Sequence, residues 1–349
     1  MNRPPDSDLD YQTEILQGVS RTFALTIPRL PGGLCDVVGN AYLLCRITDT
    51  IEDEPALSVE QKQEFSERFV EIVAGRGVAG PFAGELGALL SSSTTASEHD
   101  LIANTERVIR ITRTFNAVQR GALERCVTVM SRGMTEFQQS ATLDGLSDLA
   151  HMDRYCYYVA GVVGEMLTEL FCDYSAKIGE RREDLLALSV SFAQGLQMTN
   201  ILKDMWDDRR RGACWLPQDI FLEAGINVSA LPAGQDSPGF ARGLFRLVAI
   251  ARHHLGNALR YILIIPPSET GIRLHCLWAL GMAVLTLRRI HENPLFRSGQ
   301  EVKISRRSVR VVGTVTHALV RSNLALGLLF KALTRRLPDP ESVPRDEKI

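Results

Sequence analysis

The stretch CDVVGNAYLLCRITDTIED, residues 35–53, decides how this chain folds. Its apolar residues recur at intervals of three and four, which predicts an amphipathic helix. One face of that helix carries four polar side chains at spacings of four, three and four: Tyr42, Arg46, Asp49 and Asp53. A helix face that packs on a core does not normally hold two carboxylates and a cation, so this face predicts a binding function.

The rest of the chain continues the helical pattern. Strand signals are nearly absent, because few runs alternate apolar and polar residues and no Asn-Gly hairpin turn occurs. We predict an all-α fold, a single large bundle with helices over residues 35–52, 104–139, 155–178, 184–207, 241–264, 274–291 and 308–337. Breaks are expected where Gly, Pro and Ser cluster, at residues 28–33, 75–81, 91–97, 231–238 and 266–267.

Composition excludes several classes of protein. The chain has 349 residues, of which 45% are hydrophobic, enough for a large core. Its 39 Lys and Arg against 41 Asp and Glu give a net charge of −2, so nothing favours nucleic acid as a partner. Seven scattered cysteines without a Cys-x-x-Cys pair indicate reduced thiols. No break resembles a linker, so we expect one domain over residues 1–337 and a disordered tail over 338–349.

The sequence also bears on location. The start, MNRPPDSDLDYQTEIL, has acidic residues where a signal peptide needs basic and then apolar ones. The longest uncharged apolar run, residues 274–287, is shorter than the roughly 20 residues of a spanning helix. We expect a cytoplasmic monomer without a transmembrane anchor. Residues 323–337 are apolar on one face and basic near their end, so peripheral contact with the inner membrane face and a packed final helix are alternatives.

The paired carboxylates of the first helix predict a metal site. Asp49 and Asp53 stand about 6 Å apart along the axis, because each residue rises about 1.5 Å. Their repulsion needs a positive partner, and magnesium is suited because it bridges carboxylates to substrate phosphates. Glu52 can add a third oxygen ligand. The alternative is a solvated acidic helix end.

A second acidic face strengthens the metal hypothesis. The segment GLQMTNILKDMWDDRRRG, residues 195–212, places five polar side chains on one helix face: Gln197, Asn200, Lys203, Asp204 and Asp208. Two such faces in one helical protein can oppose each other across a cavity and hold magnesium ions, with a diphosphate between them. Neutralised by metal, the diphosphate is a good leaving group, and its departure produces an allylic cation.

Tyrosines are candidates for protecting such a cation. It must be kept from water, and aromatic faces and oxygen dipoles stabilise it. Four tyrosines are candidates: Tyr42, Tyr155, Tyr157 and Tyr158. The alternative for each is ordinary packing with its hydroxyl satisfied.

Four motifs resemble those of the trans-isoprenoid head-to-head synthases, the squalene and phytoene synthases. SRTFALTIPRLP (20–31) is similar to the family's N-terminal phosphate-binding segment, and AYLLCRITDTIED (41–53) to its first aspartate-rich motif. MDRYCYYVAGVVGEMLTELF (152–171) is similar to the tyrosine-bearing central helix, and GLQMTNILKDMWDDRRRGACWLP (195–217) to the second motif. The motifs span most of the chain in the family's order. The resemblance implies an isoprenoid-synthase bundle with a central cavity.

The resemblance implies a prenyltransferase that works on two farnesyl diphosphates. One ionises and its C1 attacks the double bond of the other, which yields presqualene diphosphate. In squalene synthases that intermediate ionises again, rearranges and takes a hydride from NADPH, so Mg²⁺ and NADPH are the implied cofactors. The implied role is in isoprenoid lipid biosynthesis, of the sterol or hopanoid kind. Animal and fungal members carry a C-terminal anchor, whereas this chain resembles a bacterial type that ends in a polar tail.

The resemblance also assigns residues. The implied metal ligands are Asp49, Glu52, Asp53, Asn200, Asp204 and Asp208. The implied diphosphate-binding residues are Ser20, Arg21, Arg46, Gln197, Asn200 and Lys203. The implied contacts to NADPH are Arg21, Arg46, Lys203, Lys303 and Arg306. The implied catalytic residues are Tyr42, Tyr155, Asp49, Asp53, Asp204 and Asp208; the two tyrosines flank the cation, and Tyr155 and the released diphosphate accept the proton.

The product stays open at this point. The family's third region resembles LHCLWALGMAVLTL (274–287) followed by VKISRRSV (302–309), where Lys303 matches a basic NADPH-binding position. Ser305 stands where animal and fungal enzymes carry arginine. Ala279 replaces a proline, and Ala213 replaces a basic residue common after the second motif. The alternative for the cations Lys303, Arg306 and Arg307 is a solvated cationic patch.

Three hypotheses follow. The first is a squalene synthase that needs magnesium and NADPH. The second is a related enzyme that stops elsewhere: phytoene synthase with a C20 substrate, dehydrosqualene synthase without reductant, or hydroxysqualene synthase with water as the trap. The third is a catalytically silent helical assembly factor. In that case at least one aspartate motif should have decayed, and both are intact.

Overall fold

The computed structural model describes residues 7–20, 22–139, 142–231 and 237–339. In this part of the chain the secondary structure is helical, and apart from one bridge between Leu146 and Pro217 no residues pair as strands. The all-α prediction is confirmed. Residues 340–349 of the expected tail and residues 232–236 of the expected loop lie outside the described residues.

The helices follow one another with short connections. In chain order they are α1 Asp8–Val19, α2 Phe23–Thr26, α3 Gly32–Asp53, α4 Val59–Val73, α5 Ala79–Leu89, α6 Ala96–Ala103, α7 Thr105–Thr114, α8 Ala117–Gln139, α9 Leu149–Cys156, α10 Val162–Tyr174, α11 Ala176–Gly179, α12 Arg182–Arg210, α13 Gln218–Glu223, α14 Pro238–Ile264, α15 Thr270–Glu292, α16 Arg306–Leu319 and α17 Asn323–Thr334. Single 3₁₀ turns lie at Ile27–Arg29 and Val228–Ala230, and a π-turn at Tyr157–Gly161 joins α9 to α10.

Contacts divide the chain into two compact units. The first consists of Met1–Ser140 and Glu165–Arg182, and the second of Ala141–Gly164 and Glu183–Ile349. The expectation of one domain over residues 1–337 stays a prediction.

In the first unit α3 packs against α1, α4, α7 and α8. Val37 and Ile47 of α3 are completely buried. Buried Asn40 donates from Nδ2 to the Val108 carbonyl (3.0 Å) and accepts at Oδ1 from the Thr112 hydroxyl (2.7 Å). A satisfied buried amide stabilises one orientation of the helix, because any rotation of α3 would leave it unpaired. The polar face of α3 is thereby held partly exposed.

In the second unit α14 and α15 pack along each other, and α13, α16 and α17 cover them. Phe221 of α13 stacks on Phe240 at 5.6 Å between ring centroids. Helix α12 passes α14 closely at Gly195, where an added Cβ would lie 3.0 Å from the backbone nitrogen of Leu255. This close packing holds the second aspartate-rich helix against the core of its unit.

Two of the expected helices are each divided into two helices in the structure, so their prediction as continuous helices is wrong. The helix over 104–139 is two, α7 and α8, because Asn116 caps the second: its Oδ1 accepts from the backbone N–H of Gln119 at 2.9 Å. The helix over 308–337 is also two, α16 and α17, because the Ser322 hydroxyl accepts a backbone N–H from the first turn of α17 at 3.3 Å. In both places apolar periodicity continues across the break and hides it.

The remaining expected helices need smaller corrections. The one over 155–178 starts earlier, as α9, and is interrupted by the π-turn and again before α11. The loop expected over 75–81 is shorter, because α5 already begins at Ala79. The helices over 35–52, 184–207, 241–264 and 274–291 are confirmed as α3, α12, α14 and α15, with ends shifted by a few residues.

Two described helices, α12 and α15, are long and apolar enough to cross a membrane by length and composition. In their most apolar windows, 56% and 67% of the residues are buried inside the protein. Core helices pass the same test, and these two serve as core helices of the second unit.

Candidate active site

The polar face of α3 forms a continuous set of contacts in the first unit. The Tyr42 hydroxyl donates to the backbone carbonyl of Val19 at 3.0 Å. Arg46 donates from Nη2 to the same carbonyl and to the Tyr42 hydroxyl, both at 3.4 Å. Its Nη1 lies 3.8 Å from Oδ2 of Asp49. Arg46 therefore contacts both Tyr42 and Asp49, as their helical spacing predicts.

Glu98 joins this set from α6. Its Oε1 lies 3.7 Å from Arg46 Nη1. Burial alone would lower the pKa of the Arg46 guanidinium, but Asp49, Tyr42 and Glu98 outweigh burial and raise that pKa above its ordinary value. Glu98 also closes a capping box at the start of α6, accepting from the backbone N–H of Thr95 at 3.0 Å. Sequence analysis missed Glu98, since its only local signal is that of a helix cap.

The carboxylates of the first motif are crowded. Burial raises the pKa of Asp49 to about 7; Arg46 opposes the shift, and Asp53 and Glu98 add to it. The pKa of Glu52 is raised well above its usual range, first by burial and then by Asp53 and Asp49. Burial and the mutual repulsion of the carboxylates both disfavour the ionised forms, and a bound cation would favour them.

The second motif lies on α12 in the second unit. Lys203 Nζ is 3.1 Å from Asp204 Oδ2, and Asp208 Oδ1 is 3.9 Å from Arg211 Nη1. Gln197 is half-buried and Asn200 exposed. The amides of Gln197 and Asn200 make no side-chain hydrogen bond with another described residue, so both are available to a ligand.

A loop between α15 and α16 lies against this motif. The backbone N–H of Gly299 donates to Asp207 Oδ2 at 3.0 Å, and Arg210 Nη1 donates to the carbonyl of Arg297 at 3.3 Å. A Cβ at Gly299 would lie 2.6 Å from Asp204 Oδ1, so any larger residue would displace the Asp204 carboxylate. Sequence analysis missed both Gly299 and Asp207, because no local pattern links the loop to α12.

Tyr155 is buried and stacks on Trp215, with ring centroids 4.3 Å apart and planes 6° apart. The segment around Trp215 is held by backbone hydrogen bonds from Cys214 to Thr142 (3.0 Å) and from Leu146 to Leu216 (3.0 Å). One face of the Tyr155 ring is thus covered by indole and its position is fixed.

Tyr157 and Tyr158 lie in the π-turn that follows α9. Their rings meet edge to face at 5.6 Å, and both are half-buried. On the neighbouring helix α9, burial raises the pKa of Asp153 to about 6. The hydrogen bond that its carboxylate accepts from Gln194 opposes this shift and lowers the pKa. A π-turn widens a helix locally and often accompanies a functional site.

The predicted N-terminal phosphate-binding residues are only partly described. Ser20 is buried, and its hydroxyl accepts the backbone N–H groups of Phe23 (3.0 Å) and Ala24 (3.4 Å) at the start of α2. Arg21 lies outside the described residues. The Phe23 ring lies 5.4 Å from the ring of Tyr42, so this segment adjoins the polar face of α3.

The predicted NADPH contacts Lys303 and Arg306 are both exposed in the second unit. Lys303 lies in the loop that Gly299 anchors on α12, and Arg306 is the first residue of α16. Ser305 caps this helix, accepting the backbone N–H of Ser308 at 3.1 Å. The serine therefore has a structural role of its own at a position where the resemblance leads one to expect arginine.

Magnesium fits the donor set of these motifs. No three His, Cys, Asp or Glu side chains converge as a ready-made metal site among the residues that the structure describes. The donors are carboxylates and an amide oxygen, which hard divalent cations prefer, and magnesium normally keeps several waters and shares the ligands of its substrate. Burial and the neighbouring carboxylates raise the pKa values of Asp49 and Glu52, and a bound cation would oppose both shifts.

Comparison with known proteins gives one family. The model of the squalene/phytoene synthase family matches residues 16–308. Squalene synthase BSS of Botryococcus braunii is 27% identical over 329 residues, which cover 92% of this chain and 66% of that protein. The squalene synthase of Schizosaccharomyces pombe is 26% identical over 308 residues, covering 85% of this chain and 64% of that protein. The chain thus spans about two thirds of the length of these relatives.

Solved structures show the same fold. A structure described as TcSQS with the ligand BPH1237 has a TM-score of 0.76 at 23% identity, over 98% of this chain and 94% of that one. A dehydrosqualene synthase in complex with ligand has a TM-score of 0.67 at 17% identity, over 90% and 97%. At such identities the similarity concerns the fold, and the expected all-α isoprenoid-synthase architecture is confirmed.

Proposed function

The chain belongs to the squalene/phytoene synthase family, whose members are prenyltransferases, and on that premise we propose that it is a squalene synthase. It would condense two farnesyl diphosphates into presqualene diphosphate and reduce this intermediate with NADPH to squalene.

The observation that carries the proposal is the pair of intact acidic motifs on α3 and α12. Burial raises the pKa of Asp49 to about 7, so keeping that carboxylate ionised near neutral pH costs the folded protein free energy unless a cation is bound. An assembly factor without catalysis would gain stability by replacing it. The retained carboxylates therefore support an enzyme.

Each motif would hold magnesium with its own residues, which are Asp49, Glu52 and Asp53 on α3 and Asn200, Asp204 and Asp208 on α12. When bound it supplies Lewis-acid neutralisation of the departing diphosphate. Arg46 and Lys203 provide fixed positive charges for diphosphate oxygens. The Arg46 guanidinium is held by the Val19 carbonyl and by Glu98, so it is oriented before any substrate binds.

In this proposal Tyr42 and Tyr155 protect a carbocation. Tyr42 has its hydroxyl fixed by Val19 and Arg46, which sets the direction of its oxygen dipole. Tyr155 stacks on Trp215, and the two rings would offer π-electron density to a positive charge and exclude water. In this proposal the Tyr155 hydroxyl accepts the proton lost in the first half-reaction and passes its own proton to the released diphosphate, which keeps it.

The second half-reaction needs a hydride, which NADPH supplies when bound. Lys303 and Arg306 are exposed cations at the end of the Gly299 loop and the start of α16, suited to its phosphates. One observation favours a second candidate: Ser305 caps α16 where an arginine would add a third cation. A non-reductive synthase that forms dehydrosqualene or hydroxysqualene is therefore the alternative.

Product identification tests the proposal. Purified protein is incubated with magnesium and farnesyl diphosphate, with and without NADPH, and in parallel with the C20 analogue geranylgeranyl diphosphate. We expect squalene only with NADPH and presqualene diphosphate without it. Dehydrosqualene or hydroxysqualene irrespective of NADPH would overturn the reductive step and support the alternative. Phytoene from the C20 substrate alone would overturn the substrate, and no product from either would overturn the proposal.

A further inference from the structure

The last two described helices carry an unusual charge distribution. Residues 302–338 hold eight of the 39 lysines and arginines of the chain and no Asp or Glu, although the chain as a whole is at −2. Glu301 and Asp339 mark the two ends of this basic segment. A run of 37 residues with one sign of charge is a candidate for electrostatic attraction to an anionic partner.

Helix α16 turns one face inward and presents the other to solvent. Inward, Val312 and Thr316 are buried, and Gly313 lies so close to Trp278 of α15 that an added Cβ would be 2.7 Å from its ring. The exposed residues share one arc of the helix: Arg306, Arg307, Arg310, Val311, Thr314, His317, Ala318 and, just past its end, Arg321. Four of these eight residues are arginines and none is acidic, so the solvent side of α16 carries a net positive charge.

Helix α17 has the same division with an apolar addition. Leu326 and Thr334 are buried at 2% exposure, in contact with the rest of the second unit. On the opposite face, Leu324 is 76% and Leu328 61% exposed, the former the most exposed large apolar side chain among the described residues. Lys331 and Arg335 continue that face. Spacings of four, three and four place these four side chains on one side of the helix.

We propose that this face of α17, formed by Leu324, Leu328, Lys331 and Arg335, docks on a bilayer of anionic phospholipid. The two leucines, one turn apart, insert among the upper acyl chains, while the two cations bind phosphate headgroups with their stems lying along the interface. The eight positive charges of the basic segment attract the anionic surface. This extends the alternatives for residues 323–337, because one face of α17 packs inward while the side chains of the other face are exposed in the described part of the chain.

Charge also argues against a second copy of the chain as the occupant. Two such faces brought together would oppose one basic segment to another, and like charges repel at contact distance. Binding to a bilayer does not depend on the reaction proposed above. If the proposed function holds, docking would also bring an enzyme that makes an insoluble hydrocarbon to the bilayer, which dissolves that product.

The test is vesicle cosedimentation of the full chain without substrate. The two vesicle types are phosphatidylcholine alone and phosphatidylcholine mixed with phosphatidylglycerol. We expect binding to the mixed vesicles only, weakening as salt is raised. The double variant Lys331→Gln/Arg335→Gln should bind about 25-fold more weakly, at about fivefold for each charge removed. Leu324→Gln/Leu328→Gln should lose at least about tenfold through the missing insertion.

Matched controls keep the proposal open to refutation. Leu222→Gln changes a leucine on α13 that is 58% exposed, and Arg113→Gln changes an exposed arginine at the end of α7; both should bind like wild type. Circular dichroism checks the fold of every variant. Equal binding by all variants, equal binding to neutral vesicles, or no binding at low salt would each overturn the proposal. So would a wild-type dimer in sedimentation velocity that the Leu324/Leu328 variant dissociates, which would make the face a self-interface.

Discussion

Replacing Gly299 with alanine tests whether the loop between α15 and α16 positions the second aspartate motif. The new Cβ would lie 2.6 Å from Asp204 Oδ1 and 3.1 Å from Asp207 Oδ2. A carbon–oxygen contact needs about 3.3 Å, so the Asp204 carboxylate must retreat by about 0.7 Å. Its side chain is 40% exposed and its contact is with the flexible side chain of Lys203, so the substitution should cost only about 0.5–1.5 kcal/mol of stability, the range for an off-rotamer side chain.

The cost in activity should be larger. Misplacing a reacting group by about 1 Å can lower rates about 100-fold, so we expect kcat/KM to fall about 10- to 100-fold in Gly299→Ala. Since Asp204 is a proposed magnesium ligand, the magnesium concentration for half-maximal rate should rise as well. The assay is diphosphate release from farnesyl diphosphate across a magnesium titration, with thermal melting recorded on the same preparations.

Gly256→Ala provides the matched control. Gly256 lies within α14 and has no atom within 4 Å of an added Cβ. Alanine there should stabilise the helix by about 0.5–1 kcal/mol and leave kcat/KM unchanged. Wild-type kcat/KM and magnesium dependence in Gly299→Ala would refute the positioning role. A loss of activity matched by unfolding in the melting curve would refute it too.

Three further substitutions test other parts of the account. Glu98→Gln keeps the capping box but removes a charge 3.7 Å from Arg46, so KM for farnesyl diphosphate should change about two- to fivefold with the melting temperature preserved; an unchanged KM would contradict the contact. Burial lowers the pKa of His254 to about 4, so the fold resists protonation there and stability should fall as the pH drops from 6.5 toward 4. His254→Asn should flatten that part of the melting-temperature profile, and an identical slope would exclude this histidine. Lys303→Ala should slow only the reductive half-reaction, so presqualene diphosphate accumulates; an equal slowing of the first step would show that Lys303 does not bind the nicotinamide cofactor.

The polar face of α3 could be predicted from the spacing of its residues in the sequence. Helical geometry alone brings residues three and four apart together, and the structure indeed joins Tyr42, Arg46 and Asp49 in contacts of 3.4–3.8 Å. On α12 the contact at 3.1 Å between Lys203 and Asp204 joins sequence neighbours instead, so it does not depend on helical spacing. Side-chain periodicity within one helix needs no knowledge of how the helices pack.

Contacts between distant segments could not be predicted in this way. Glu98 reaches Arg46 only because α6 packs beside α3, and Gly299 meets Asp207 only because the loop after α15 folds back on α12. The breaks at Asn116 and Ser322 were missed for a different reason. A single capping side chain ends a helix even where the apolar pattern runs on.

Neutralising one carboxylate in each motif tests the central claim most directly, namely that both motifs are required for release of diphosphate. Diphosphate release from farnesyl diphosphate and magnesium is measured for wild type, Asp49→Asn, Asp204→Asn and the control Asp144→Asn, whose carboxylate is exposed outside both motifs. We predict that each motif variant loses at least about 100-fold in rate while its helical circular dichroism is retained and its melting temperature does not fall, and that the control matches wild type. Substantial turnover in either motif variant, or wild-type turnover in the presence of EDTA, would contradict the account.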